Sequence, residues 1–514
     1  MATNAPDACP EASLKPSANP GDICRATPAA DGGCLAHLGP ESLAKYLSGL
    51  QPGAAVDMQE VVFTGDLLER LLAAITPLSQ QPELGTADFS GATFTDNANF
   101  EGATFTKDTS FSGATFTKNA DFHGATFTDN ANFEGATFTK DTSFSGATFT
   151  RHAIFHGATF TQDADFGGVT STGEVYFGDG TVEGRLLLRT CAVQGLVWAG
   201  ARISGELVVE AAVARVDLSG VRASGRVGLR LRGARVDLSG AVFTGPVTVH
   251  GLQTAIGGVD EITIRWDGAE PGGTTPRVKV VSLHDADAER LVLTDVDLSE
   301  CRFAGMQQLE KITLDGRCRF AANPRGTRQM LAEEHHWRAH KPRWRVGRAA
   351  RWTAAPDGVG VVDPARLEVL YRQLRKALED SKNEPGAADF YYGEMQMRRH
   401  SGRGGRGLAE RTLVWLYWLV SGYGLRAWRA ITTLLVVVAV IAVGVKYAGF
   451  PGKPVPYIDA LLYSVRSAFL INVKTTNVPE TVTRWGEVFR IILRIAMPLL
   501  LGLAALAIRN RVKR

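Results

Sequence analysis

Phenylalanine recurs at Phe89, Phe94, Phe100, Phe105, Phe111, Phe116, Phe122, Phe127, Phe133, Phe138, Phe144, Phe149, Phe155, Phe160 and Phe166, with gaps that alternate five and six residues. The repeating unit is therefore one short gap plus one long, as from Phe89 to Phe100, and most units are built around GATFT. Within Ala92-Thr93-Phe94-Thr95 the two apolar residues fall on one face and the threonines on the other, the alternation of a strand. An 11-residue apolar period also fits a right-handed helical supercoil. Composition argues against that, because glycine and β-branched threonine stand where a helix carries alanine, leucine or glutamate. The pattern predicts short strands separated by polar corners and stacked as coils. Each buried ring then contributes roughly 1.5–3 kcal/mol. Residues 96–128 recur at 129–161 with 30 of 33 identical, the mark of a tandem duplication; only Lys118/Arg151, Asn119/His152 and Asp121/Ile154 differ.

A small residue two places before a central Phe or Leu, about every five residues, resembles the pentapeptide-repeat family. That resemblance implies a four-sided right-handed β-solenoid in a mainly β chain, and a helical region and a transmembrane hairpin are expected after it. The extra residue in every second gap predicts two looser corners per coil, with two units making up each turn of the stack. Beyond Phe166 the pattern loosens but continues. ARVDLSG occurs at 214–220 and 234–240, and VDLSECRF at 296–303 recovers the five-residue step through Leu298 and Phe303. The expected organisation is an N-terminal Cys-containing segment with a capping helix (1–84), a regular solenoid (85–166) and its irregular continuation (167–325). A basic helical juxtamembrane region (326–412) and a membrane domain (413–514) follow.

The membrane domain rests on apolar runs. The segment 430–450 carries only Lys446 as a charge and is flanked by Trp428, Arg429 and Tyr447. At 1.5 Å per residue it reaches about 31 Å, enough for a hydrocarbon core of about 30 Å. A second span is expected over 488–508, with Arg490 and Arg494 near its start snorkelling outward and Pro498 inside. The segment 413–429, with Trp415, Tyr417, Trp418, Tyr423 and Trp428, reads as an interfacial helix. Residues 321–430 hold 20 basic and 11 acidic side chains, and Arg509, Arg511, Lys513 and Arg514 follow the second span. Positive charge before the first span and after the second predicts a multi-pass plasma-membrane protein with both termini cytoplasmic. The opening residues lack the basic and apolar regions of a secretory signal, which agrees.

Between the spans, an amphipathic or re-entrant segment over 457–473 resembles the pore helix of two-span ion channels. Tyr457, Ser464, Arg466, Lys474, Thr475 and Thr476 are its pore-like residues. No TVGYG-like carbonyl ladder follows, and Arg466 opposes simple cation conduction. The block EEHHWRAH, then LYRQLRKALEDSKNEPGAADFYYGEM, then YWLVSGYGLRAWRA resembles the C-terminal part of actinobacterial pentapeptide-repeat membrane proteins. That resemblance implies architecture rather than activity.

Candidate chemistry is sparse. The net charge of the 514 residues is +3, from 56 basic and 53 acidic side chains, so no nucleic-acid partner is expected. Six cysteines are too few for a disulfide scaffold. Cys9, Cys24, Cys34 and His37 offer either a Cys3His zinc knuckle or incidental thiols in a loose leader. His336 and His340, four apart on one helical face, offer a metal pair with Glu333, or belong to a surface helix with polar packing. Glu384, Asp389, Tyr391, Tyr392 and Glu394 read either as acid/base groups or as partners of Arg398 and Arg399. No nucleotide loop or nucleophile elbow is present, so the chain is not expected to be an enzyme or to need a cofactor. The expectation is a membrane-anchored cytosolic solenoid that binds an unknown protein partner. The alternative is a channel-like hairpin gated by the solenoid, homo-oligomeric through the membrane segment.

Overall fold

The computed structural model describes residues 38, 40–77, 81–258, 264–266, 277–324, 326–340, 352–401, 408–425, 427–452, 455–469 and 481–512. The chain divides into two compact units, residues 1–335 with 351–353, and residues 336–350 with 354–514.

The first unit is a β-solenoid of about ten turns. Each regular coil carries four two-residue strands, as in Thr93–Phe94, Ala98–Asn99, Thr104–Phe105 and Thr109–Ser110. Each of these pairs in parallel with its counterpart one coil on, Thr104 with Thr126 and Ala98 with Ala120. That offset is two repeating units, the coil length the phenylalanine spacing predicts. Further along the coils shorten, so that Thr181 pairs with Arg202 and Arg202 with Arg222.

All fifteen phenylalanines point inward, and none exposes more than 2% of its surface. Rings one coil apart stack, with Phe111 and Phe133 centroids 5.0 Å apart, and rings of adjacent columns meet edge to face, as Phe122 and Phe133 do at 5.5 Å. One stack runs Phe89, Phe111, Phe133, Phe155, Phe177, Trp198.

The two corner types have different chemistry. After Phe111 the chain makes a tight turn in which Ala114 N–H donates to the Phe111 carbonyl at 3.0 Å and Gly113 takes φ +67°. Only glycine adopts that conformation without strain, which is why it recurs once in every unit. The residue before the ring also holds the turn, since Asn99 and Asp121 side chains accept from the backbone two residues on at 2.9 Å. Asp217, Asp237 and Asp297 do the same in the irregular half, so VDLSG is this corner with leucine in place of phenylalanine. At the looser corner the second threonine of each GATFT is consumed. Thr117 donates both its N–H and its hydroxyl to the Phe94 carbonyl of the previous coil, each at 2.9 Å.

The solenoid begins at Ala54 rather than at residue 85. Ala54–Asp57 and Val62–Phe63 pair in parallel with Glu83–Asp88 and Thr93–Phe94. The offset from Val62 to Thr93 is longer than that of any regular coil, because the segment with helix α2 (Leu67–Ala74) interrupts this coil and hides the period. Helix α1 (Pro40–Ser48) precedes it. The expected capping helix therefore lies within the first coil, and not before it.

A second interruption separates Val242 from its partner Asp287. Its described residues fold back over the outer face of earlier coils: Leu252, Ile256, Ile264 and Trp266 pack on Ala192, Ala212 and Ala214. The Gln194 amide pairs with both backbone groups of Arg265 at 2.9 Å. Gly233 makes room for the Trp266 ring, which a methyl there would overlap.

The second unit is helical. Helices α4 (Pro364–Asp380) and α5 (Glu384–His400) form an antiparallel hairpin, after α3 (Ala332–Ala339). Asp363 caps α4 by accepting from Ala365 and Arg366, with Pro364 at the first helical position, as the sequence predicts. Helices α6 (Leu408–Ser421), α7 (Ala427–Ala448), α8 (Tyr457–Phe469) and α9 (Arg484–Val512) complete the unit.

Candidate functional site

Glu333, in the glutamate–histidine run before Trp337, closes the end of the solenoid. In the regular coils the ring-bearing residue donates its N–H to the next coil, as Phe89 does to Ser110 at 2.7 Å. Phe303 sits on the last coil, and among the described residues it has no such backbone acceptor ahead of it. Glu333, at the start of α3, takes that place: its Oε1 accepts from Phe303 N–H and, at 3.2 Å, from Ala304 N–H. An unmet backbone donor here would cost about 1–3 kcal/mol. Next to it is Glu334, fully buried, whose two carboxylate oxygens both accept from Arg328 Nη2, at 3.1 and 3.0 Å. His335 Nε2 lies 3.1 Å from the Ala322 carbonyl. Among the described residues no group of three metal-ligating side chains converges, so the Glu333–His336–His340 metal alternative finds no support.

Burial pushes the Glu333 carboxyl above its ordinary value, against the pull of the two amides. An acid whose pKa rises on folding binds more protons folded than unfolded. Stability therefore falls as pH climbs from the ordinary carboxylate range through the raised value. Glu333→Gln is expected to flatten the wild-type decline in urea midpoint as pH rises above the ordinary carboxylate range. Parallel curves for the two proteins would exclude Glu333 as the source of that slope.

The described thiols of the solenoid, Cys191, Cys301 and Cys318, are wholly or largely buried. Burial raises Cys191 to about 12 and lifts Cys301 and Cys318 above the usual thiol range. None is poised as a nucleophile. Cys9, Cys24, Cys34 and His37 lie outside the described residues, as do Lys474, Thr475 and Thr476.

In the helical unit the acidic and aromatic residues of α5 divide into two groups. Glu394, mostly buried, pairs with Arg372 at 3.0 Å and Arg375 at 3.6 Å, both from α4. Arg372 also reaches Glu368 at 3.1 Å. The arginines paired with Glu394 thus come from across the hairpin and not from Arg398 and Arg399; sequence proximity hid them. Tyr392, Tyr391 and Met395 pack with Val414, Tyr417, Trp418 and Tyr423, and the Tyr391 ring also meets the Arg375 guanidinium at 5.5 Å.

Two helices are long and apolar enough to cross a membrane, over Trp428–Ala448 and Arg484–Leu506. Their outer faces carry Leu435, Val436, Val440, Ile491, Ile495 and Leu499, all exposed. Their inner faces join α8 in one core containing Leu434, Val438, Ile441, Ala460, Ala468, Leu493 and Met497. Of the pore-like residues, Ser464 is fully buried and its hydroxyl bonds the Ala460 carbonyl at 2.9 Å. Tyr457 is exposed and Arg466 half-buried.

The coil geometry defines a four-sided β-solenoid whose corners are set by a polar residue, a ring and a glycine. Residues 84–126 and 122–170 match the family model for pentapeptide repeats, in nine copies. The chain thus carries pentapeptide repeats, extended at both ends by coils of the same build and followed by helices. No curated protein matches it.

Proposed function

We propose that this protein is a membrane-anchored scaffold, in which the solenoid presents a partner-binding surface and α7 and α9 hold the chain in a bilayer. The observation that carries the reading is the sidedness of the helical hairpin. Its outward apolar residues suit lipid, while α7 and α9 pack on each other and α8 packs against both with Ala460 and Ala468. A packed interior favours an anchor over a conducting pore within one copy. The solenoid supports binding, because the recess bordered by Arg202, Arg222 and Thr244 is open and shallow. On this reading the chain sits in the plasma membrane with both termini cytoplasmic, and it needs no cofactor or nucleic acid.

Ion flux across liposomes reconstituted with the full-length protein tests it. An anchor leaves flux at the level of empty liposomes. Flux that Arg466→Ala alters would replace the anchor with an oligomeric channel.

A further inference from the structure

The junction of α5, α6 and α7 is rich in hydrogen-bond donors and poor in acceptors. Arg399, in the last turn of α5, lies with its guanidinium 4.3 Å from the centre of the Trp418 ring, and Arg429, near the start of α7, lies 4.9 Å from it. Arg429 also donates to the Trp418 carbonyl at 3.0 Å. Among the described residues no carboxylate pairs with Arg399. The Trp418 indole N–H is buried with no acceptor, and so is the hydroxyl of Tyr423, a residue 1% exposed. A buried donor without a partner costs about 1–3 kcal/mol, and two such donors in the cluster that holds the Arg399 guanidinium suit an anion.

The surroundings say which kind. Helix α6 exposes Leu413, Trp415, Leu416 and Leu419, and the start of α7 exposes Trp428 and Ile431. Apolar and tryptophan side chains on the surface next to a cationic cluster are the arrangement of the headgroup layer, where the ring sits in lipid and the arginine meets phosphate. The cluster also adjoins the beginning of a helix long and apolar enough to span.

We propose that this junction binds the headgroup phosphate of an anionic phospholipid, with Arg399 and Arg429 supplying charge and Trp418 Nε1 and Tyr423 Oη supplying directed hydrogen bonds. The inference rests on the anchored reading, since it places α6 at the bilayer surface. It adds a preference for lipid charge that an apolar anchor alone does not have.

The test is native mass spectrometry of the full-length protein in micelles holding equal amounts of phosphatidylglycerol and phosphatidylcholine. Phosphatidylglycerol is expected to be retained over phosphatidylcholine. Arg399→Gln should lower that preference about tenfold, the scale of one charge-assisted hydrogen bond. Arg399→Lys should keep most of it, and Tyr423→Phe, which removes only the hydroxyl, should lower it about fivefold. Equal retention of the two lipids, or a preference untouched by Arg399→Gln and Tyr423→Phe, overturns the proposal. Displacement of the lipid by millimolar inorganic phosphate would also overturn it, in favour of a soluble-anion site. Alkaline extraction of the same protein from liposomes judges the anchor separately. Release into the supernatant defeats the anchored reading, whereas retention without lipid preference defeats only this inference.

Discussion

Phe133→Ala is expected to destabilise the solenoid by about 3–5 kcal/mol, the cost of removing a large ring from a core that cannot collapse around the void. Phe133 is fully buried. Its ring stacks on Phe111 at 5.0 Å and Phe155 at 4.8 Å, and it meets Phe122 and Phe144 edge to face at 5.5 and 5.2 Å. Those four contacts are held by backbone hydrogen bonds in the coils before and after, so the neighbours are not free to close the gap. The damage should be local, because a coil in a solenoid touches only its neighbours. Hydrogen exchange should show lost protection across roughly residues 111–155 and little change near Leu218 or Phe303. Phe133→Leu, which keeps most of the volume, should cost less than half as much. Uniform loss of protection from end to end would instead mean that the solenoid unfolds as one cooperative block.

The repeat made this part of the fold legible, since identical residues at a fixed spacing leave one consistent register. What escaped the sequence escaped for particular reasons. The first coil, Ala54–Phe63, carries its own inward ring, and Phe63 stacks on Phe94 at 4.8 Å. The helix inserted after it lengthens the offset and removes the only signal that periodicity offers. The threonines read as a uniform outward ladder, yet half are spent on carbonyls of the previous coil, a distinction that depends on the corner and not on the residue. Gln194 meets the segment that carries Trp266 across a long stretch of chain, and no local pattern announces such a contact. Glu333 looked like a metal ligand because two histidines stand near it. Its role depends on Phe303, whose need for an acceptor is visible only once the coil is known to be the last. The two long apolar helices were legible from hydropathy alone, but the donor cluster around Trp418 draws on three helices.

The solenoid's closing end should be its most sensitive polar site. Arg328→Met is expected to cost about 3–5 kcal/mol, because it leaves the Glu334 carboxylate buried without the guanidinium that both its oxygens contact. Arg328 is 7% exposed and Glu334 0%, so solvent cannot replace the lost guanidinium without opening the end of the coil stack. The two residues are close in sequence, and their pairing fixes the entry of α3 so that Glu333 reaches the amides of Phe303 and Ala304. Loss of Arg328 therefore has two consequences, a buried carboxylate deprived of its Arg328 guanidinium and a displaced cap. The double variant Arg328→Met with Glu334→Leu separates them. Removing both charges together should recover much of the loss, since replacing a buried ion pair by apolar groups of similar size is often neutral. What the double variant fails to recover measures the positioning of Glu333. Fraying should then appear as faster amide exchange at Phe303 and Ala304, with the phenylalanine coils unaffected. Full recovery in the double variant, with Phe303 still protected, would mean that the cap holds Glu333 in place without the ion pair.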